Sequence, residues 1–112
     1  TVQTRSVIGE DEDKQSDMNS LMDGRLKAEL YSNIPNPFKE QTTISFFIPE
    51  TAYGASIHIY NLQGKQIKQI NIGERGNGSV IINGYELTPG MYMYTLIVDG
   101  KEIDTKKMIL TE

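Results

Sequence analysis

Cysteine is missing altogether from the 112 residues, so neither a disulfide framework nor a Cys-ligated metal site can hold this chain together. Tryptophan is missing as well, and there is a single histidine, His58. Without a His cluster, or a glycine-rich loop joining a strand to a helix, transition-metal and phosphate-binding sites lack their parts. A basic field is also lacking: 15 acidic residues stand against 11 basic ones, for a net charge of -4. Neither nucleic acid nor an anionic membrane is a favoured partner. There is no run of the roughly 18 apolar residues that a membrane-spanning helix needs. Thr1 to Glu10 contains no apolar segment of the signal-peptide kind, so if the protein is exported, that signal lies upstream of this sequence.

What is present divides at about residue 29. Residues 1–29 hold seven acidic residues (Glu10, Asp11, Glu12, Asp13, Asp17, Asp23, Glu29) against four basic ones, a net of -3. Residues 30–112 hold eight against seven, a net of -1. The leader is also poor in β-branched and aromatic residues, and reads as an acidic linker. Within it Met18, Leu21, Met22 and Leu26 recur at spacings of three and four, which would place them on one helix face after a Ser16 or Asp17 cap. That stretch is either a transient helix in a tether or the frayed end of an oligomeric coiled coil continuing upstream.

From residue 30 onward the period becomes two. Leu30 to Phe38 carries Pro35 and Pro37 one residue apart, which forces an extended, rigid start to the domain. Ile44, Phe46 and Ile48 then share one strand face and Thr43, Ser45 and Phe47 the other. Ala55, Ile57 and Ile59 likewise oppose Ser56, His58 and Tyr60. The turn Asn61-Leu62-Gln63-Gly64 sends the chain back over residues 65–72 as a hairpin. Gly73 to Gly78, with three glycines, reads as a flexible excursion before Val80 and Ile82 alternate up to an Asn83-Gly84 turn. Pro89-Gly90 fits the centre of a type II turn. It launches a strand over 91–98 that is apolar on both faces and therefore central, and Asp99-Gly100 turns it into a last strand over 101–110. Seven short antiparallel strands without an intervening helix predict an all-β fold in which two sheets stack as a small sandwich.

Catalytic chemistry finds little support in these residues. His58 sits mid-strand between Ser56 and Tyr60, whereas a Ser-His-Asp triad needs its histidine at a rim, oriented by a carboxylate. The expected reading is a surface or half-buried histidine, and no enzyme. Calcium is the one ion to weigh, because Asp11, Glu12, Asp13 and Asp17 offer oxygen ligands. Counted from Asp11, however, the glycine and glutamate positions of an EF-hand are occupied by Ser16 and Met22. A solvated acidic linker fits better, so no metal and no cofactor are expected. Met91 and Met93 alternate within a strand and are packing residues.

Five blocks in order, Leu30-Tyr31-Ser32-Asn33-Ile34-Pro35-Asn36-Pro37-Phe38, Ile44-Ser45-Phe46-Phe47-Ile48-Pro49, Ile57-His58-Ile59-Tyr60-Asn61-Leu62-Gln63-Gly64-Lys65, Leu87-Thr88-Pro89-Gly90-Met91-Tyr92-Met93-Tyr94 and Lys106-Lys107-Met108-Ile109-Leu110, resemble the C-terminal sorting domain of the type IX secretion system of the Bacteroidetes. The likeness covers residues 30–112. It implies a compact immunoglobulin-like β-sandwich that is carried through the periplasm and recognised by secretion machinery at the outer membrane, delivering a covalently linked upstream cargo to the cell surface or the medium. It also implies a sortase-like protease acting in the linker.

Carried onto this sequence, the resemblance marks Pro35, Asn36, Pro37, Phe38, Tyr60, Gly64, Pro89, Gly90 and Tyr92, whose residue types turn and core demands explain, so they read as structural. It also marks Lys106, Lys107, Met108, Ile109 and Leu110 as sorting-signal positions. Lys106 and Lys107 point to opposite faces of the last strand, where they either protect a sheet edge or are displayed to the translocon. The acidic leader is similar to that of Bacteroides surface proteins in which such a domain follows a tail-fibre-like region and a coiled coil. One alternative is therefore a retained structural or adhesive tip, oligomeric through its leader. Another is a carbohydrate-binding accessory domain using Tyr53, Tyr60 and Tyr85 on one flat face.

Overall fold

A computed structural model describes residues 27–112. The leader readings, namely the helix face over Met18 to Leu26, the acidic linker and the Asp11 to Asp17 oxygen ligands, lie outside the described residues. Seven strands follow in order: β1 (Glu29–Leu30), β2 (Gln41–Ile48), β3 (Ala55–Tyr60), β4 (Gln66–Ile72), β5 (Gly76–Asn83), β6 (Gly90–Val98) and β7 (Lys101–Leu110). All pair antiparallel, in one sheet of order β1-β2-β5 and a second of order β4-β3-β6-β7. The all-β sandwich expected from the period of two is the observed fold. No helix among the described residues is long and apolar enough to cross a membrane.

Alternation decides which side chains fill the space between the sheets. On β2 the buried set is Thr42, Ile44, Phe46 and Ile48; on β3 it is Ile57 and Ile59; on β6 it is Tyr92, Tyr94, Leu96 and Val98. Met108 and Leu110 complete the core from β7, and Ile72 and Ile82 close it from β4 and β5. β6 lies between β3 and β7, as its two apolar faces predict, and even outward-facing Thr95 is buried.

Two turns are built as their residues dictate. Asp99 and Gly100 both take positive φ, 52° and 82°, which is the type I′ geometry whose twist matches the strands it joins. The Asp99 carboxylate also accepts the backbone N–H groups of Tyr53 and Gly54 at 2.8 and 2.9 Å, tying the β2–β3 connection to this turn. At the β3–β4 hairpin, Gly64 adopts φ 86° while Asn61 Oδ1 accepts from the Gln63 and Lys65 amides.

Two other turn expectations are corrected. The glycine-rich stretch is not an excursion: β5 starts at Gly76 and pairs with β2 in unbroken register from Gly76↔Ile48 to Asn83↔Gln41. Gly78 is a strand residue because the Phe46 ring lies against it, and a Cβ there would stand 2.8 Å from Phe46 Cε1. The loop before it is pinned by Arg75, whose Nε and Nη2 donate to the Ala52 carbonyl at 3.2 and 3.0 Å. Nor do Pro89 and Gly90 form a type II turn. Gly90 has φ 153° and already pairs with Leu110 as the first residue of β6, so the proline makes a bend that feeds the strand directly. The reversal after β5 is instead a short 3-10 turn, Gly84–Glu86. Gly84 is required there by close approach, since a Cβ would fall 2.3 Å from the Lys39 carbonyl oxygen.

Candidate recognition surface

The proline-rich segment after β1 is fixed by a small buried polar network. Asn33 and Thr42 are buried, and each finds partners: Asn33 Nδ2 donates to Thr42 Oγ1 at 3.0 Å and to the Pro35 carbonyl at 3.2 Å, and the Thr42 hydroxyl donates to that same carbonyl at 2.7 Å. Tyr94, wholly buried on β6, donates its hydroxyl to the Tyr31 carbonyl at 2.9 Å. Burial pushes the Tyr94 phenol up from its ordinary range; the Asp104 carboxylate adds to this and a hydrogen bond with the Asn33 backbone opposes it. Buried polar groups satisfied in this way hold one arrangement of the segment, in which both the Ile34–Pro35 and Asn36–Pro37 peptide bonds are cis.

So fixed, the segment lies along the free side of β7. Asn36 Oδ1 accepts the Ile109 N–H at 3.0 Å and Asn36 Nδ2 donates to the Lys107 carbonyl at 3.3 Å. Phe38, itself buried, donates its N–H to the Ile109 carbonyl at 2.9 Å and accepts from the Thr111 N–H at 2.8 Å, a parallel bridge to Leu110. On its other side β7 pairs with β6 through Gly90↔Leu110, Met91↔Ile109 and Tyr92↔Met108. The end of the last strand is therefore the middle of a three-strand arrangement, with its backbone groups at 109 bonded on the outer side by residues some 70 positions earlier.

This places the five candidate sorting residues differently from one another. Met108 and Leu110 are core. Lys106 is half-buried on the same inward face and its Nζ lies 3.5 Å from Asp104 Oδ2. Lys107 is exposed on the outer face, with Ile109 half-buried beside it. Opposite faces for the two lysines are what the strand period requires.

The remaining marked positions gather at the same end. Tyr92 is buried, its hydroxyl bonded to the Thr88 carbonyl and to Thr88 Oγ1. Pro89, Gly90, Met91 and Tyr92 line an open cleft of about 460 Å³ together with Asn61, Leu62 and Gln63 of the hairpin tip. Gly64 shapes that tip and Tyr60 leads into it, half-buried on the outer face of β3. Four blocks scattered over the sequence thus meet around the finish of β7. Asn33, Thr42 and Gly84 belong to the same construction and were not marked by sequence. For Thr42 a signal existed, because extending the inward phase of Ile44 and Phe46 by two residues sets a polar side chain in the core.

His58 is half-buried in a polar row on the outer face of β3. Ser56 Oγ lies 2.9 Å from its Nε2, and Gln66 Oε1 lies 3.0 Å from its Nδ1. An amide, not a carboxylate, occupies the orienting position, and the site is a sheet face and not a cleft. Among the described residues no three His, Cys, Asp or Glu side chains are gathered as a metal site. Tyr53, 94% exposed beside the Asp99 turn, and Tyr85, 84% exposed in the 3-10 turn near Leu110, stand at opposite ends of the sandwich. They do not make one flat aromatic face with Tyr60.

The family model for the secretion system C-terminal sorting domain matches residues 32–111. Among solved structures the chain is similar to dimeric latent PorU from Porphyromonas gingivalis, with a TM-score of 0.61 and 22% identity over 75% of this chain and 9% of that one. The sequence thus spans under a tenth of that protein's length, and at this identity the likeness is one of fold. No curated protein matches.

Proposed function

This chain belongs to the secretion system C-terminal sorting domain family, matched over residues 32–111, and from that premise we propose that it is a non-catalytic address, directing a covalently linked cargo across the outer membrane to the cell surface by the type IX system. The observation that supports this reading most is the meeting of four of the five family blocks at one end of the sandwich, with the Asn36 amide bonded to Ile109 and Lys107 of the last strand. Recognition then falls on a folded surface. Lys107 and Ile109 are its displayed side chains, and Met108 and Leu110 hold the strand that displays them. The partners on this reading are the secretion machinery and a sortase-like protease that acts N-terminal to β1.

The test is a reporter carrying an export signal at its N-terminus and this chain at its C-terminus, expressed in a bacterium with a type IX system. Removing residues 106–112 is expected to leave the reporter in the periplasm. Because that deletion also takes Met108 and Leu110 from the core, a Lys107→Glu, Ile109→Asn double variant, which leaves the core intact, accompanies it. Normal surface display of both variants would sink the proposal. Mass spectrometry of the surface reporter then reports whether residues 30–112 are removed or stay as a structural tip.

A further inference from the structure

Four strand edges border the two sheets, and three are unsuited to adding another strand. β7 carries Lys101, Glu102, Asp104, Lys106 and Lys107, and its end is covered by Asn36 and Phe38. β4 is broken by a register shift opposite Tyr60 and carries Lys68, paired with Glu86 at 3.3 Å. β1 is two residues long. Charges, bulges and shortness are the usual protections of an edge.

β5 has none of them. Its eight residues, Gly76-Asn77-Gly78-Ser79-Val80-Ile81-Ile82-Asn83, contain no charge and no proline, and its ladder with β2 runs without a shift. Among the described residues no strand pairs with its outer edge. An open edge of this kind accepts extended backbone. Ile81 on its outward face is 55% exposed.

We propose that β5 pairs with β5 of a second copy of this chain, antiparallel and about a twofold axis at Ser79, giving one continuous six-stranded sheet of order β1-β2-β5-β5-β2-β1. Self-complementarity selects the occupant. A twofold at Ser79 sets that residue against its own image and every other residue against the one equally far along on the other side, and no charges meet because β5 carries none. Size complementarity fixes the register. With Ser79 facing Ser79, Val80 lies opposite Gly78, Ile82 opposite Gly76, and exposed Ile81 is covered by Asn77 of the other copy. Seven paired residues from each copy, 76–82, fall short of the roughly 1,200 Å² of a standard stable interface, so the association is weak and reversible.

Analytical ultracentrifugation of the full chain, from micromolar to millimolar concentration, is expected to show the mass rising from 12.6 kDa towards twice that value. Ser79→Lys and Ser79→Glu, exposed and outward-facing, should each weaken association at least tenfold at unchanged melting temperature, and mixing the two should restore it as a heterodimer. Since the chain has no cysteine, Ser79→Cys is a clean reporter that should form an intermolecular disulfide, with Gln69→Cys on β4 as the control. Three results would overturn the pairing: a monomer at every concentration, association that survives Ser79→Lys, or preferential linking through Gln69→Cys. The second of these would assign the contact to another part of the chain. Sorting of the reporter described above is a separate readout, so loss of dimerisation and loss of export are distinguishable.

Discussion

Asn36 stands beside Ile109 as a neighbouring strand would, its Oδ1 taking the Ile109 N–H at 3.0 Å while its Nδ2 reaches back to the Lys107 carbonyl at 3.3 Å. One side-chain amide here replaces a peptide unit, and a segment that cannot itself form a regular strand, with prolines at 35 and 37, still closes a sheet edge.

Asn36→Ala should therefore act locally. Both contacts are solvent-exposed, so water replaces part of what is lost and the expected cost is about 0.5–1.5 kcal/mol. Hydrogen exchange is the sharper measurement: the Ile109 amide should lose protection while Tyr92 and Leu96 in β6 keep theirs. Asn36→Asp, which retains the acceptor, should preserve Ile109 protection. Unchanged exchange at Ile109 in the alanine variant would contradict the clamp.

Two glycines should be sensitive to alanine because of close contacts, and not because of a positive φ. At Gly84 the new methyl meets the Lys39 carbonyl at 2.3 Å, and at Gly78 it meets the edge of the Phe46 ring at 2.8 Å. Overpacking of this kind costs about 1–3 kcal/mol, with Gly84 at or above the upper end because its obstacle is backbone. Gly54, with open space around it, should lose little. Chemical denaturation of the three variants gives the order, and equal midpoints for Gly84→Ala and Gly54→Ala would refute it.

Thr42 and Thr43 are adjacent yet predict opposite results with valine. Thr42→Val strips a buried hydroxyl from Asn33 and from the Pro35 carbonyl, and should destabilise by about 1–3 kcal/mol. Thr43, half-buried on the outer face, should change by no more than about 0.5 kcal/mol. A thermal melt of each variant separates them.

The buried Tyr94 phenol predicts a loss of stability at alkaline pH. Its folded value is raised above the ordinary 10, so ionisation is easier in the unfolded chain. The contribution is complete below about pH 10 and disappears as pH climbs through the raised folded value. Melting temperature should accordingly fall between pH 9 and the strongly alkaline range, and Tyr94→Phe, though less stable at pH 7, should show a shallower fall. Tyr31 is raised as well, by its hydrogen bond to the Glu29 carboxylate, so Tyr31→Phe is measured beside it and should remove its own part of the slope.

The period of two over residues 41–48 and 91–98, the Asn61 to Gly64 hairpin and the Asp99-Gly100 turn were determined by sequence alone, because each is a matter of neighbours along the chain: side chains alternate across a strand, and positive φ falls where glycine or aspartate permits it. The two faces of the last strand, with Lys106 and Lys107 opposed, followed from the same local rule. Tertiary structure decided the rest. Only the packed sheets place the Phe46 ring against Gly78 and turn a glycine-rich stretch into strand, and only they supply Asn33 and Thr42 with each other as partners in a core. Only the order of strands sets residue 36 against residue 109, and leaves β5 as the one uncharged, unbroken edge longer than two residues among the described strands. A hydrogen-bond partner 73 residues away leaves no local trace, since which strand lies beside which is settled by how two apolar faces cover one another.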